Sequence, residues 1–344
     1  MPPPRAARFS AAAACAALAA ACYFILPSPP QPMPPPAALA LLGRTAVVFG
    51  GTSGIGRGIA LRLGELGASV TVVGRDTARG EAVVAALRAS SPAPASHRFA
   101  PCDAFSLAAI RDTAAALHPP SSPPLDLLVL SQGMATLQGF TPTPEGLDQK
   151  LALHAWGRVA ATRALLPALR RAPSPVVLSV LSAGVHGAFP AWREDLELSG
   201  AGSYGLKAAA DAAGLVNDVA AEAQAGERGN ERVLFLHAAP GFVNTAWGTE
   251  LPWWARGLVR ALQPLGRSPA QCADFLLRPV LARREGSGGG GFGLVGERGE
   301  AVAPSAGRGA GQEGTVEGVW GKTRGVVERV LGREFWAGSE APPQ

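Results

Sequence analysis

The sequence predicts an α/β domain of three layers (α/β/α), in which helices cover both faces of a doubly wound parallel sheet. Two observations support this fold class. From residue 44 onward, short apolar runs alternate with longer segments of helical periodicity, as expected for strands joined by crossover helices. The hydrophobic fraction is 47% of 344 residues, which is enough for one sizeable core.

The predicted strands are short apolar runs that recur along the chain. They cover residues 45–49, 69–73, 97–101, 125–130, 175–181 and 232–240. The predicted helices follow them, at about 55–66, 77–89, 107–117, 147–170, 204–225, 255–263 and 268–283. This alternation is typical of a parallel sheet, because a chain that returns to start a parallel strand needs a long crossover.

The C-terminal part has a different composition. Residues 285–314 are rich in glycine and predict a loop insertion with one short strand near 292–295. An amphipathic pattern over 315–332 predicts a last helix. We therefore expect a single domain over residues 41–335, followed by a short tail at 336–344.

Residues 1–40 form an Ala/Pro-rich leader without acidic residues. Arg5 and Arg8 precede an 18-residue apolar run at 9–26, a pattern typical of a signal peptide, a signal anchor or an organellar transit segment. A disordered leader, or a translation start at Met33, explains the composition equally well. The predicted localisation is therefore membrane-associated or organellar if this segment targets the protein, and cytoplasmic otherwise.

Composition excludes several function classes. The net charge is +5, but the arginines are scattered and no basic run of five occurs, which indicates a solvated surface rather than a nucleic-acid interface. The four cysteines lie at positions 15, 22, 102 and 272. Two belong to the leader and two stand alone, so neither a disulfide framework nor a metal-binding spacing is predicted.

A glycine-rich turn joins the first predicted strand to the first helix, within "VVFGGTSGIGRGIA". Its glycines follow the pattern G-x-x-x-G-x-G, which lets the backbone approach a diphosphate at the helix N-terminus. Close packing alone is the alternative explanation. The position after the first strand of a βαβ unit favours a dinucleotide site. Its candidate cofactor-binding residues are Gly50, Thr52, Ser53, Gly54, Ile55 and Gly56.

The end of the second predicted strand indicates which dinucleotide is bound. An enzyme selective for NAD places an acidic residue there to accept a hydrogen bond from the ribose 2′-hydroxyl. Here the sequence is "VVGRD", in which Gly74 has no side chain and Arg75 offers a planar cation suited to a 2′-phosphate. Asp76 is the competing NAD-type candidate, although a helix start commonly carries Asp. The sequence therefore favours NADP.

Together these residues resemble the short-chain dehydrogenase/reductase (SDR) family, over about residues 44–283. The resemblance implies a Rossmann fold and a nicotinamide dinucleotide cofactor. "FGGTSGIG" is similar to the family's glycine motif. Further segments match in the same order: "CDAF", whose Asp103 would contact adenine, "LLVLSQG" with Gly133, and "APGFVNT", whose Pro240, Gly241, Val243 and Thr245 would line the nicotinamide side.

The resemblance also implies catalytic residues. Ser182 lies at the end of a predicted strand, at the position of the family's catalytic serine, and would polarise the substrate oxygen. Tyr204 would transfer the proton, and Lys207 would lower the pKa of the phenol and bind the cofactor ribose. Tyrosine occurs only at 23 and 204. If the folded region has a catalytic tyrosine, it is Tyr204.

Two features of the candidate catalytic residues depart from the family pattern. Tyr204 and Lys207 are three residues apart, whereas the family spacing is four. With the lysines aligned in a regular helix, the Tyr204 side chain would therefore point about 100° away from the direction of the family's tyrosine. His154 replaces an asparagine that positions a proton relay. An imidazole can serve in a relay, but a buried histidine of the core is the alternative. The chain is either active with altered geometry or a catalytically silent binder.

The predicted function is NADP-dependent interconversion of a carbonyl and an alcohol on a lipophilic small molecule. The lipophilic substrate is suggested by Trp247, Trp253 and Trp254, in a region that closes over the substrate in related proteins. These tryptophans fit lid packing or a partner surface equally well. The alternative function is a silent NADP(H)-binding sensor or scaffold. The resemblance also implies a possible homodimer through the helices at 147–170 and 204–225.

Overall fold

The computed structural model describes residues 39–92, 94–245, 253–283, 289–304 and 314–340. Its centre is a seven-stranded parallel sheet with the order β3-β2-β1-β4-β5-β6-β7. This sheet confirms the predicted fold class. The strands are β1 Thr45–Phe49, β2 Ser69–Gly74, β3 Arg98–Pro101, β4 Leu127–Leu130, β5 Val176–Val180, β6 Leu234–Ala238 and β7 Gly291–Val295.

Helices connect the strands. In chain order they are α1 Gly54–Glu65, α2 Thr77–Ser90, α3 Leu107–Leu117, α4, α5 Trp192–Asp195, α6 Leu206–Ala225, α7 Trp253–Leu262, α8 Pro269–Ala282, α9 Thr315–Leu331 and α10 Arg333–Glu340. Helix α4 has three parts, Gln149–Leu151, a π-helical turn Ala152–Trp156 and Gly157–Arg170.

Each face of the sheet packs on its own set of helices. Val47 and Phe49 of β1 face the layer of α3, α4 and α6, whereas Ala46 and Val48 face α1, α2 and α8. All four side chains are buried, which is why the central strands read as continuous apolar runs rather than alternating ones. The two cores hold the strand ends in fixed positions.

The glycine-rich segment contributes more than a loop. Residues Gly291–Val295 form β7, which pairs with β6 along its whole length and extends the parallel sheet. Beyond it, α9 packs on α6 and α3, and α10 packs on α4. Trp336 of α10 is fully buried, with the guanidinium of Arg163 4.4 Å from its ring centroid. The packed domain therefore continues past the predicted boundary at 335.

Two predictions concern surfaces rather than the core. The helices expected to form a dimer, α4 and α6, contact α10 and α9 of the same chain, and the homodimer remains a prediction. No helix in the described part of the chain is long and apolar enough to span a membrane. The apolar run at 9–26 lies outside the described residues, so the signal-anchor prediction has no structural support.

Candidate active site

The functional edge of the sheet lies where the strand order reverses, between β1 and β4. In sheets of this kind, ligands bind beyond the carboxyl ends of the strands at such a switch point. The glycine turn follows β1, and the segment of Gly133 follows β4. Ser182 follows β5, and the Pro240 segment follows β6. The predicted site residues therefore share one edge.

At several positions of the glycine turn, the backbone conformation or a close neighbouring atom leaves no room for a side chain. Gly50 and Gly54 have positive φ angles of 75° and 54°, which favour glycine. A Cβ atom at Gly56 would lie 2.2 Å from the Ser131 hydroxyl and 2.4 Å from the Gly50 carbonyl oxygen. The turn thus brings its backbone close to the end of β4, and only glycine permits this approach.

The N-terminus of α1, which follows this turn, is not capped by a side chain. Ser53 is the N-cap residue but makes no side-chain capping bond, and the first turn contains no acidic residue. By contrast, Asp76 and Ser106 cap α2 and α3. The first amides of α1 are therefore available to a phosphate group, which a helix N-terminus attracts. The residues of this turn fit a nucleotide diphosphate.

Other predicted cofactor-binding residues surround this turn. A Cβ at Gly54 would meet the Thr245 methyl group at 3.4 Å, and one at Gly74 would meet the Thr52 methyl group at 2.7 Å. The segments after β2 and β6 thus both approach the turn. The remaining predicted positions are Ile55 in the first turn of α1, Asp103 after β3, Gly133 beside His154, and Pro240, Gly241 and Val243 after β6.

Arg75 and Asp76 have separate contacts at the end of β2. The Arg75 guanidinium lies 4.7 Å from the centroid of the Phe105 ring and forms no ion pair with a described residue. Asp76 caps α2 by accepting from the Arg79 backbone N–H at 2.9 Å, and this bond lowers the pKa of the carboxyl group. Asp76 is therefore committed to its own helix, while Arg75 remains exposed.

Ser182 lies just beyond β5. Its hydroxyl is buried and has no hydrogen-bond partner in the described part of the structure. Its backbone N–H donates to Nε2 of His237 at 3.1 Å. The backbone of Ser182 is thus fixed, whereas its hydroxyl has an unused donor and acceptor.

A fully buried carboxylate supports this serine. Asp218 of α6 accepts from His237 Nδ1 at 2.6 Å and from His186 Nε2 at 3.0 Å. Burial opposes ionisation of Asp218, but the bonds from the two histidines lower its pKa to about 2. His186 Nδ1 also faces the Gly187 carbonyl oxygen at 3.0 Å, so both ring nitrogens of His186 face acceptors. This geometry favours the imidazolium form of His186, paired with Asp218; burial opposes the charge, but the bond to Asp218 raises the pKa of His186.

Tyr204 is not part of the helix in which it was expected. Helix α6 begins at Leu206, because Gly205 at its N-cap is extended (φ −149°, ψ 151°). The prediction of a helix from 204 is wrong by two residues, and the angular argument for a helical Tyr–Lys pair does not apply. The Tyr204 hydroxyl instead contacts Lys150 Nζ at 2.9 Å and donates to Asp148 Oδ1 at 3.3 Å.

Lys207, the lysine of the sequence motif, has a different partner. Its ammonium pairs with Asp211 one turn along the same helix, and its side chain is 81% exposed. The other Asp211 oxygen accepts from the Gly187 N–H at 2.7 Å. Lys207 is thereby connected to the loop that follows Ser182, and the expectation that it pairs with Tyr204 is not met in this structure.

Sequence reasoning missed Lys150 and Asp148. Asp148 caps α4 by accepting from the backbone N–H of Lys150 at 2.9 Å, so the first turn of α4 presents both side chains to Tyr204. Burial raises the pKa of Tyr204, and the nearby charge of Asp148 raises it further. The only signal in the sequence was the scarcity of lysine, which occurs only at 150, 207 and 322.

His154 has a structural contact. Its Nε2 accepts from the Met134 N–H at 3.0 Å, and burial together with the charges of Arg158 and Lys150 lowers its pKa to about 3. Its carbonyl oxygen, within the π-helical turn, accepts from Asn217 at 2.7 Å. His154 is neutral and holds the segment after Gly133 in place, and its part in a proton relay remains a prediction.

An apolar rim lies on the segments that follow β4 and β5 and at the start of α6. We use this name for Leu137 and Phe140 after β4, Val185 after β5, and Leu206 at the start of α6. These side chains are between 37% and 59% exposed. Phe140 packs edge-on against the Tyr204 ring with centroids 5.8 Å apart. Farther along, Trp253 of α7 is 79% exposed, while Trp247 lies outside the described residues.

The comparison with known families agrees with this geometry. Residues 44–193, from β1 to the short helix α5, match the family described as short chain dehydrogenase. The matched part of the chain belongs to the short-chain dehydrogenase/reductase family. The sequence resemblance is thereby confirmed. The SDR family consists of oxidoreductases that bind NAD or NADP.

Two curated relatives give the degree of similarity. The polyprenol dehydrogenase of Mus musculus is 40% identical over 128 residues, which cover 37% of either chain. Dehydrogenase/reductase SDR family member 13 of Homo sapiens is 35% identical over 224 residues, which cover 64% of this chain and 58% of the relative. The chain therefore matches less than two thirds of the length of either SDR relative.

A solved structure supports the fold. The alcohol dehydrogenase of the archaeon Thermococcus sibiricus, complexed with 5-hydroxy-NADP, aligns with a TM-score of 0.52. The alignment covers 76% of this chain and 98% of that structure, with 17% sequence identity. Similarity at this level concerns the architecture of the sheet and its helices.

Proposed function

We propose that this SDR protein is an NADP(H)-dependent oxidoreductase that interconverts a carbonyl and an alcohol on a lipophilic small molecule. The observation that carries the proposal is the position of Tyr204. The chain's one tyrosine outside the leader lies at the carboxyl edge of the sheet, with an ammonium group 2.9 Å from its hydroxyl. A phenol in that setting can exchange a proton with a substrate oxygen.

The cofactor supplies or accepts a hydride when it is bound. The glycine turn and the uncapped start of α1 would hold its diphosphate, and Arg75 would bind the 2′-phosphate. The preference for NADP rests on the exposed, unpaired guanidinium of Arg75 and on the use of Asp76 as a helix cap. Lys207, near Gly187, would contact the cofactor ribose.

Ser182 would orient the substrate. An unpaired buried hydroxyl carries a free-energy cost, which a substrate oxygen can relieve by accepting its hydrogen bond. That bond strengthens as negative charge develops on the oxygen during carbonyl reduction. Tyr204 would then donate its proton to the same oxygen. The phenol of Tyr204 is protonated at neutral pH and so carries the proton to be donated. Its raised pKa makes it a weak acid, which the Lys150 ammonium 2.9 Å away offsets by stabilising the phenolate.

The lipophilic substrate is supported by the apolar rim. Exposed apolar side chains grouped around a functional edge mark a binding surface for an apolar ligand. One relative is named a polyprenol dehydrogenase, and a polyprenol is a long apolar alcohol. We therefore propose a long-chain apolar alcohol, or its aldehyde or ketone, as the substrate class.

The test combines binding with turnover, using the purified full chain. We expect NADPH to bind more tightly than NADH, and Arg75→Ala to weaken NADPH binding by about 1.5–3 kcal/mol, roughly ten- to hundred-fold, with little effect on NADH. We expect NADPH oxidation with long-chain prenyl aldehydes but not with short polar aldehydes, and its loss in Tyr204→Phe. An unchanged cofactor preference in Arg75→Ala would refute the assignment of the 2′-phosphate site.

A catalytically silent binder is the second candidate. It is favoured by the pairing of Lys207 with Asp211 rather than with Tyr204. It predicts the same NADPH binding, but no oxidation with any aldehyde or ketone of the panel. Turnover that disappears in Tyr204→Phe would exclude it.

A further inference from the structure

Lys150 is a buried lysine whose charged group meets no carboxylate within ion-pair distance among the described residues. The residue is 7% exposed. Its Nζ atom donates to the Gln138 carbonyl oxygen at 2.6 Å and to the Tyr204 hydroxyl at 2.9 Å. A lysine at such depth usually has a compensating partner. Here the phenol oxygen is one of its two hydrogen-bond acceptors.

The two groups of this pair have shifted proton affinities. Burial lowers the pKa of Lys150, with partial compensation by the charge of Asp148. Burial and Asp148 raise the pKa of Tyr204. A phenolate formed at Tyr204 would thus be a stronger base than the neutral amine of Lys150. Proton transfer from the ammonium to the phenolate would be favourable over a contact that already exists.

We propose that Lys150 is the proton donor that restores Tyr204 in each catalytic cycle, a role that the sequence motif assigns to no residue at this position. The proposal rests on the proposed oxidoreductase function. In carbonyl reduction, hydride addition leaves the substrate oxygen in need of one proton. The Tyr204 O–H bond breaks as the substrate O–H bond forms. The Lys150 N–H bond then breaks as the Tyr204 O–H bond re-forms, and the amine regains a proton from water. Alcohol oxidation follows the same steps in reverse.

Lys207 offers a contrast within the same chain. It carries the sequence motif, yet its ammonium is paired with Asp211 and its side chain is largely exposed. The two lysines therefore divide the roles that one residue was expected to perform. Lys150 exchanges protons with Tyr204, and Lys207 serves the cofactor side of the site.

The first test needs no turnover. Trace acylation of lysine amines as a function of pH, followed by peptide mapping, reports the pKa of each of the three lysines. For Lys150 we expect a value below the usual one of about 10.4, and a further fall in Tyr204→Phe, because the ammonium loses a hydrogen-bond acceptor. Lys207 and Lys322 should not respond to that substitution. If Lys150 has the same pKa in the wild type and in Tyr204→Phe, the proposal is overturned.

The second test uses NADPH-dependent reduction of a long-chain prenyl aldehyde. Lys150→Met should lower kcat at least about ten-fold, as expected for loss of a proton-transfer group, while the KM for NADPH stays the same. Added methylamine should restore part of the activity of Lys150→Ala, which a purely structural role would not allow. Lys150→Arg should fold and keep the charge but transfer protons poorly.

The control is Lys322→Met, which removes an exposed lysine on α9 and should keep wild-type kinetics. Lys207→Met should raise the KM for NADPH more than it lowers kcat. Wild-type turnover in Lys150→Met would refute the role of Lys150 while leaving the oxidoreductase proposal intact. Absence of turnover in the wild type would instead refute the proposed function itself.

Discussion

Asp218 is a residue whose substitution should cost this protein much of its stability, because two buried hydrogen bonds end on its carboxylate. The substitution Asp218→Asn keeps the size of the side chain. It places an amide where a fully buried carboxylate now accepts from His237 at 2.6 Å and from His186 at 3.0 Å. An NH2 group would then face a ring N–H, and the imidazolium of His186 would lose its counter-charge.

The magnitude follows from these two bonds. Hydrogen bonds to a charged group contribute about 1.5–3 kcal/mol each, and removing one partner of a buried ion pair costs about 3–5 kcal/mol. The lowering of the Asp218 pKa from 3.8 to about 2 corresponds to roughly 2 kcal/mol in favour of the carboxylate, which points the same way. We expect Asp218→Asn to lower the free energy of unfolding by about 3–5 kcal/mol.

The assay is urea unfolding of the purified protein at neutral pH. The matched control is Asp112→Asn, because Asp112 pairs with Arg111 at the surface and should contribute nothing measurable. In addition, Asp218→Asn should release His237 from its fixed tautomer and loosen the Ser182 backbone. NADPH-dependent turnover should therefore fall even where the variant remains folded. A loss of less than about 1 kcal/mol would refute our interpretation of the buried ion pair.

Three further predictions follow from other parts of the structure. Gly56→Ala should abolish NADPH binding measured by fluorescence, because its Cβ would lie 2.4 Å from the Gly50 carbonyl oxygen; preserved binding would contradict this account of the turn. The free energy of unfolding should fall as pH rises through the pKa of His186 in the folded protein. Burial opposes the charge of His186, but Asp218 raises its pKa above the value near 6.5 in the unfolded chain. The stabilising contribution of the charged His186 is therefore complete below the unfolded pKa and is lost above the folded pKa. Urea unfolding measured across this pH range should show the free energy of unfolding decreasing with pH in the wild type and not in Asp218→Asn. Trp336→Ala should cost about 3–5 kcal/mol in urea unfolding, since the ring is fully buried, whereas Trp253→Ala at an exposed position should change stability by less than about 0.5 kcal/mol.

The amino-acid sequence was enough to predict the parallel α/β fold class, the shared strand edge of the candidate site and the resemblance to the family. Those features depend on signals that are local in the chain. The apolar runs that became β1, β2 and β4 are buried on both faces, and the glycine pattern marks a turn whose backbone must approach its neighbours. Even the glycine-rich segment contained its short strand at the expected place, although its pairing with β6 could not be read from composition.

The contacts between side chains of the candidate site could not be predicted from the sequence. Lys150 and Tyr204 are 54 residues apart, and their contact depends on the extended conformation of Gly205, which keeps Tyr204 out of α6. Likewise, Asp218 meets His186 and His237 only because a helix, a loop and a strand converge behind Ser182. Spacing along a helix predicts neighbours on that helix alone. Contacts between separate elements are set by how those elements pack, and here packing places Tyr204, which precedes α6, against Lys150 of α4.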